Sequence, residues 1–171
     1  MARISILLLF ASLSLGCDTI LPRSSGPCPA VALIDETARV VKFKSNLGRD
    51  VTDIDYSAEF ADVLWSCTYR GNELAVELEI LITATLGPTS NSSSAKLGYF
   101  VALSDNREQL IAKRVFETVA DFSGTREAYV EEEIMQRIGL PEGKAGDDYL
   151  IFVGFQLDRD ELTYNRDKMN P

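Results

Sequence analysis

The side chains that could do chemistry in this 171-residue chain are three cysteines, Cys17, Cys28 and Cys67, and a large excess of carboxylates. There are 26 Asp and Glu against 17 Lys and Arg, and no histidine, for a formal charge of −9. Without histidine the commonest general base and zinc ligand are missing. No Gly-x-Ser-x-Gly elbow, phosphate loop, EF-hand spacing or Cys-x-x-Cys pair occurs either. What remains is thiol chemistry and carboxylate chemistry. Asp53 and Asp55 share one parity at the start of a strand, and Asp147 and Asp148 precede the last strand, so a loop-end calcium site is one use for them. Solvated acidic turns are the other. The run Glu131 to Glu133 reads as a solvated rim, with Glu132 in reach of Lys113 or Arg114.

Cys17 stands at the end of an export-type leader. Arg3 supplies a positive start, Ile4 to Leu15 is apolar apart from Ser5, Ser12 and Ser14, and Gly16 precedes the cysteine. A spanning helix needs about 20 apolar residues, and this run is broken at Gly16, Cys17 and Asp18. Residues Leu13 to Cys17 resemble the bacterial lipobox, in which a small residue precedes a cysteine that becomes acylated; Ser14 stands where leucine is usual. Lipidation at Cys17 is the expectation, and an ordinary secreted protein with an incidental Cys17 is the alternative. Triacylation would hold the chain on a membrane durably, since one chain alone binds marginally. Asp18 resembles the signal that retains enterobacterial lipoproteins in the inner membrane, which favours that membrane over the outer one. The mature part would face the periplasm.

With Cys17 assigned to lipid, Cys28 and Cys67 are left in an oxidising compartment, where a structural disulfide is the default and two buried thiols the alternative. Such a bridge closing about 40 residues is worth roughly 3 to 4 kcal/mol in the chain-entropy picture. Residues 18–29, DTILPRSSGPCP, read as a Pro- and Ser-rich tether. The bridge would fasten the point where tether becomes domain. The acidic balance argues against nucleic acid and against electrostatic docking on anionic lipid.

The elements that must position these residues are strands. Ala30 to Ile34 and Arg39 to Phe43 read as edge strands or as one strand plus a turn. Ile54, Tyr56, Ala58 and Phe60 alternate, the phase slips at Ala61 and Asp62, and Val63, Trp65, Cys67 and Tyr69 alternate on the other parity. One extra residue of this kind marks a β-bulge. After a turn at Arg70 to Asn72, Val76, Leu78, Ile80, Ile82, Ala84 and Leu86 alternate in a long strand, with Leu81 out of pattern. Trp65, two residues from Cys67, reads as a core tryptophan beside the disulfide. Leu97 to Leu103, Leu110 to Val119 and Tyr149 to Leu157 are further strands. Thr125 to Leu140 fits a helix through Val130, Ile134 and Ile138 and fits a strand by parity; its short links and Pro-Glu-Gly ending favour the strand. Asp158 and Glu161 form a capping-box pattern for one or two helical turns.

The layout is therefore residues 1–16 as signal, 17–29 as lipidated cysteine and tether, 30–158 as the domain, and 159–171 as a short helical turn and tail. Seven or eight short strands with paired cysteines point to an all-β antiparallel sandwich, immunoglobulin or fibronectin type III-like, with a closed barrel as runner-up. The stretches CPAVALIDETARVVKF, GRDVTDIDYSAEFADV, LPEG, YLIFVGFQL and ELTYNR, in that order, resemble a group of small alphaproteobacterial envelope lipoproteins with no assigned activity. That resemblance implies an envelope lipoprotein and a sandwich and carries over no cofactor, ligand or catalytic residue. The expected function is a non-catalytic binding or scaffolding module that meets another envelope protein. The competing expectation is a small-ligand carrier or hydrolase-type enzyme with a carboxylate site at the loop end.

Overall fold

The computed structural model describes residues 26–44 and 48–169. Among these residues, eight strands form two four-stranded sheets packed face to face, followed by one helix: β1 (Ala30–Leu33), β2 (Arg39–Phe43), β3 (Ile54–Arg70), β4 (Glu73–Leu86), β5 (Ser94–Asp105), β6 (Leu110–Asp121), β7 (Glu127–Gly139), β8 (Tyr149–Phe155) and α1 (Arg159–Met169). One sheet has the order β1-β8-β5-β6 and the other β2-β3-β4-β7. All neighbours are antiparallel except β1, which runs parallel to β8. The expected all-β sandwich, its sheets mainly antiparallel, is the observed architecture.

The centre of the second sheet is the β3–β4 hairpin. Its turn is Gly71–Asn72, between paired Arg70 and Glu73, and Gly71 has φ +61°, a conformation that costs other residues steric strain. Leu74, Val76, Leu78, Ile80, Ile82, Ala84 and Leu86 of β4 all point into the core, each at most 8% exposed. Full burial of a side chain of this kind is worth about 1.5–3 kcal/mol. The facing layer comes from Leu97, Tyr99, Val101 and Leu103 of β5 and Ile151, Val153 and Phe155 of β8. Phe60 and Phe155 stack across the layers at 4.3 Å between centroids. The register of β3 against β4 shifts between Phe60 and Asp62, where the sequence changes phase.

Residues 127–139 are a strand, with Ala128, Ile134 and Ile138 buried. Trp65 corrects the expectation of a core tryptophan: it is 45% exposed. Its parity is the inward one, but β2 pairs only with the first half of β3, up to Glu59, so Trp65 lies on an uncovered margin of the sheet. Helix α1 is longer than expected, about three turns over 11 residues. Asp158 and Glu161 exchange both hydrogen bonds of the capping box, at 2.8 Å each. The helix covers the outer edge at β2, where the Asn165 side-chain amide donates to the carbonyls of Glu36 and Arg39 at 2.8 and 2.7 Å. Among the described residues no helix is long and apolar enough to cross a membrane.

Candidate functional surfaces

The chain enters the domain at a clamp. Cys28 and Cys67 are disulfide-bonded, with their Cα atoms 5.7 Å apart across a separation of 39 residues. Two residues further along β3, the Tyr69 hydroxyl donates to the Pro27 carbonyl at 2.6 Å and accepts the Gly146 N–H at 2.8 Å. Gly26 lies against the same ring, where a Cβ would come within 2.6 Å of it. Bridge, phenol and glycine together fix the first described residues to the end of the sandwich where β3 finishes. Cys17, Asp18 and the rest of the leader and tether up to residue 25 lie outside the described residues.

The carboxylates singled out by spacing do not converge. Asp53 accepts the Asp50 backbone N–H at 3.1 Å, capping a 3-10 turn, and Asp55 accepts the hydroxyls of Ser90 and Ser92 at 2.6 and 2.9 Å. Asp148 is at the other end of β5, beyond Asp105, bound to the Lys144 ammonium at 2.7 Å and to the Ala145 N–H at 3.0 Å. Those two hydrogen bonds hold its carboxyl below the ordinary range, and the same contact raises Lys144. The 12 residues of β5 separate the two ends, roughly 35 Å at strand spacing. A calcium site drawing on both pairs is therefore not formed, and among the described residues no group of three or more Asp, Glu, Cys or His has metal-holding geometry.

Glu131 to Glu133 divide by the period of the strand. Glu132 points inward and accepts the Tyr99 hydroxyl at 3.0 Å, in place of the expected pairing with Lys113 or Arg114. Tyr99 is fully buried, and burial, then the Glu132 carboxylate, push its phenol well above the ordinary range. Lys113 instead lies over the Phe100 ring at 4.0 Å, and the Arg114 guanidinium sits 5.0 Å from the centre of Phe116.

Glu131 and Glu133 point outward and belong to an acidic sheet face. Glu133 is directly opposite Glu79, and Leu81 sits between Asp62 and Glu131. These residues and Leu64 rim an open depression of about 270 Å³ on the outside of the second sheet. Like charges directly opposed across strands are unfavourable by a fraction of a kcal/mol. The arrangement is costly to the fold and is retained on the surface.

The outer face of the first sheet has the opposite character. Phe100, Ala102 and Ser104 of β5 carry the outward parity, yet they are only 7%, 6% and 2% exposed, packed beside β8 and β6. Gly154 makes this possible, because a Cβ there would meet the Phe100 ring at 2.9 Å and the Thr37 hydroxyl at 2.0 Å. Along β6 the apolar surface reaches solvent: Leu110 is 64% exposed, Ile111 53%, Val115 55% and Val119 52%. The expected strand Leu110 to Val119 is present, and the exposed strip on it is not among the features expected from the sequence. The signal for it is that Ile111, Lys113, Val115, Glu117 and Val119 share one parity while Phe116 and Ala120 carry the inward one, so both faces of the strand are apolar. No family model matches the chain, and comparison with curated proteins and with solved structures gives no significant match either.

Proposed function

We propose that this chain is a lipid-anchored protein of the bacterial cell envelope, facing the periplasm, whose sandwich works as a non-catalytic binding or scaffolding module. The observation that carries the reading is a filled core beside an exposed apolar strip on β6. A strip of that kind on an edge strand is a contact surface by its chemistry. The Cys28–Cys67 bridge supports an oxidising compartment. It also anchors the chain at the end from which the tether departs, which suits a domain held off a membrane by residues 18–25. The resemblance to alphaproteobacterial lipoproteins belongs to the same proposal. With a net charge of −9 and the acidic face of the second sheet, the envelope partner presents a basic or apolar patch.

Crosslinking in native membranes, followed by affinity capture from the solubilised envelope, tests the module. The expected result is a stoichiometric protein partner whose capture weakens as salt rises to a few hundred millimolar, where the Debye length falls to ~6 Å or less. Failure to recover any partner, together with reproducible turnover in a hydrolase or transferase screen, would overturn it. Palmitate labelling tests the anchor: label on the wild-type chain and none on Cys17→Ser is expected, and equal label on both refutes lipidation at Cys17.

A further inference from the structure

The strip on β6 lies along a sheet edge, and the two features together identify an occupant. Among the described residues β6 pairs with β5 on one side only and ends the sheet. Residues of the two strands pair at positions such as Ala95 with Ala120 and Tyr99 with Phe116, and just beyond the ladder the Phe122 N–H donates to the Ser93 carbonyl at 3.0 Å. In an antiparallel ladder the backbone groups of successive residues point to alternate sides. Beyond the register shift at Ile111, the even-numbered residues Ala112 to Ala120 therefore bond to β5, and the N–H and C=O groups of Lys113, Val115, Glu117 and Val119 face the free edge. The same four residues carry the outward-facing side chains.

We infer that this edge pairs with the β6 edge of a second copy of the chain, antiparallel and centred on Val115. The inference rests on the proposed contact role and names who makes the contact. Charge complementarity singles out the second copy under two-fold symmetry, in which residue i meets j and j meets i. Centred on Val115, the pairing sets Lys113 opposite Glu117 of the second copy, and Glu117 opposite its Lys113. Ile111 falls opposite Val119 in both directions, and Val115 meets its own equivalent. On the inward side Arg114 falls opposite Phe116, the ring type it already lies against in its own chain. Centring on Lys113, Arg114 or Glu117 would instead oppose like charges on the axis. Centring on Phe116 would leave Lys113 and Glu117 facing valines. The Val115 register alone sets both Lys113 and Glu117 against an opposite charge, and it covers Ile111, Val115 and Val119, each more than half exposed in the single chain. Two four-stranded sheets would become one of eight.

The test uses the full chain, extracted in mild detergent if the membrane retains it. Sedimentation equilibrium is expected to show a dimer for the wild type. Lys113→Glu and Glu117→Lys should each weaken it about tenfold or more, because two opposite-charge pairs become two like-charge pairs. An equimolar mixture of the two variants should recover the wild-type affinity, since across the mixed pair every charge again meets its opposite. Circular dichroism of each variant checks that the fold is kept. Independently, Val115→Cys should give a disulfide-linked dimer on non-reducing gels of intact cells, and Thr118→Cys, on the inward parity, should not. A wild type that stays monomeric at about 100 μM with no Val115→Cys dimer, or a dimer insensitive to both charge reversals, overturns the inference. A Val115→Cys adduct formed solely with a different envelope protein overturns self-pairing while leaving the contact role standing. Absence of any adduct in the Val115→Cys variant, with no partner captured from the envelope, counts against both.

Discussion

β6 and β7 are the two long edges of this sandwich, of nearly equal length, one in each sheet and joined by a short turn. The Leu86 N–H bonds to the Arg126 carbonyl and the Leu140 N–H to the Asn72 carbonyl. By the same alternation, the free-edge groups of β7 belong to Tyr129, Glu131, Glu133, Met135 and Arg137. Two carboxylates sit in the middle of that row, with Glu79 and Asp62 behind them on the acidic face. Charge on an edge is the usual device against unwanted strand addition. β6 carries valine where β7 carries glutamate, and two of its outward charges, Lys113 and Glu117, are of opposite sign and placed to meet each other in a second copy. One fold thus holds a blunted edge and a receptive one, and the difference lies wholly in outward side chains that the core does not need.

Breaking the scaffold common to both edges should have the largest effect. Cys67→Ser removes the entry clamp and is expected to cost about 2–5 kcal/mol of stability by urea unfolding. Both edges should lose protection together, because the hairpin β3–β4 supports β7 directly and the core through it.

At the β2 side, Glu161→Ala removes half of the capping box and the buried partner of the Lys42 ammonium. A loss of about 1–2 kcal/mol by thermal melting is expected, with β6 and β7 unchanged in amide exchange. Burial works against the Lys42 charge, but the hydrogen bond and charge of Glu161 outweigh it, so the pKa of Lys42 stands above the ordinary 10.5. The Tyr99 phenol is also raised, by burial. Both groups contribute stability that is present below their unfolded values and is lost as pH rises through their folded ones. Glu36 and Asp148 are lowered, by Arg166 and Lys144 respectively, and their contribution is lost as pH falls through their folded values. The melting temperature should therefore be flat between about pH 5 and 9 and fall on both sides. A midpoint that rises above about pH 10 would contradict the Lys42 and Tyr99 assignments.

Tyr99→Phe sharpens the comparison at the seam, since this hydroxyl links β5 to the inward Glu132 of β7. The expected loss is about 1 kcal/mol, measured by urea midpoint, with the acidic outer face unaltered. The smallest effect belongs to Glu133→Gln, which relieves the Glu79–Glu133 opposition. A gain of a few tenths of a kcal/mol is expected, shrinking as salt is added.

Much of the scaffold is legible in the residues themselves. The phase slip at Ala61 and Asp62 becomes the register shift of β3, the alternation of Val76 to Leu86 becomes the buried face of β4, and the Asp158–Glu161 pattern caps α1. These are local signals, set by period and by hydrogen bonds between near neighbours. Residues 127–139 are ambiguous because Val130, Ile134 and Ile138 satisfy both the helical and the strand period, and sheet pairing decides between them. Trp65 is misread for a related reason: its parity is right for the core, but whether anything covers that part of β3 depends on how far β2 extends. The candidate surfaces are the least legible. That β6 ends its sheet follows from β7 crossing to pair with β4 in the other sheet, a long-range pairing that no local pattern records. The acidic depression likewise needs β3, β4 and β7 side by side before Asp62, Glu79, Glu131 and Glu133 share a rim.

Backbone amide exchange, resolved by residue, tests the difference between the two edges most directly. The amides of Lys113, Val115, Glu117 and Val119 on β6 are compared with those of Tyr129, Glu131, Glu133 and Met135 on β7, in dilute and in concentrated full-chain protein. The β6 amides are expected to slow by about tenfold or more on concentration, as the edge becomes paired, while the β7 amides exchange at the same rate throughout. Equal exchange at both edges at every concentration, or protection that appears first on β7, would contradict it.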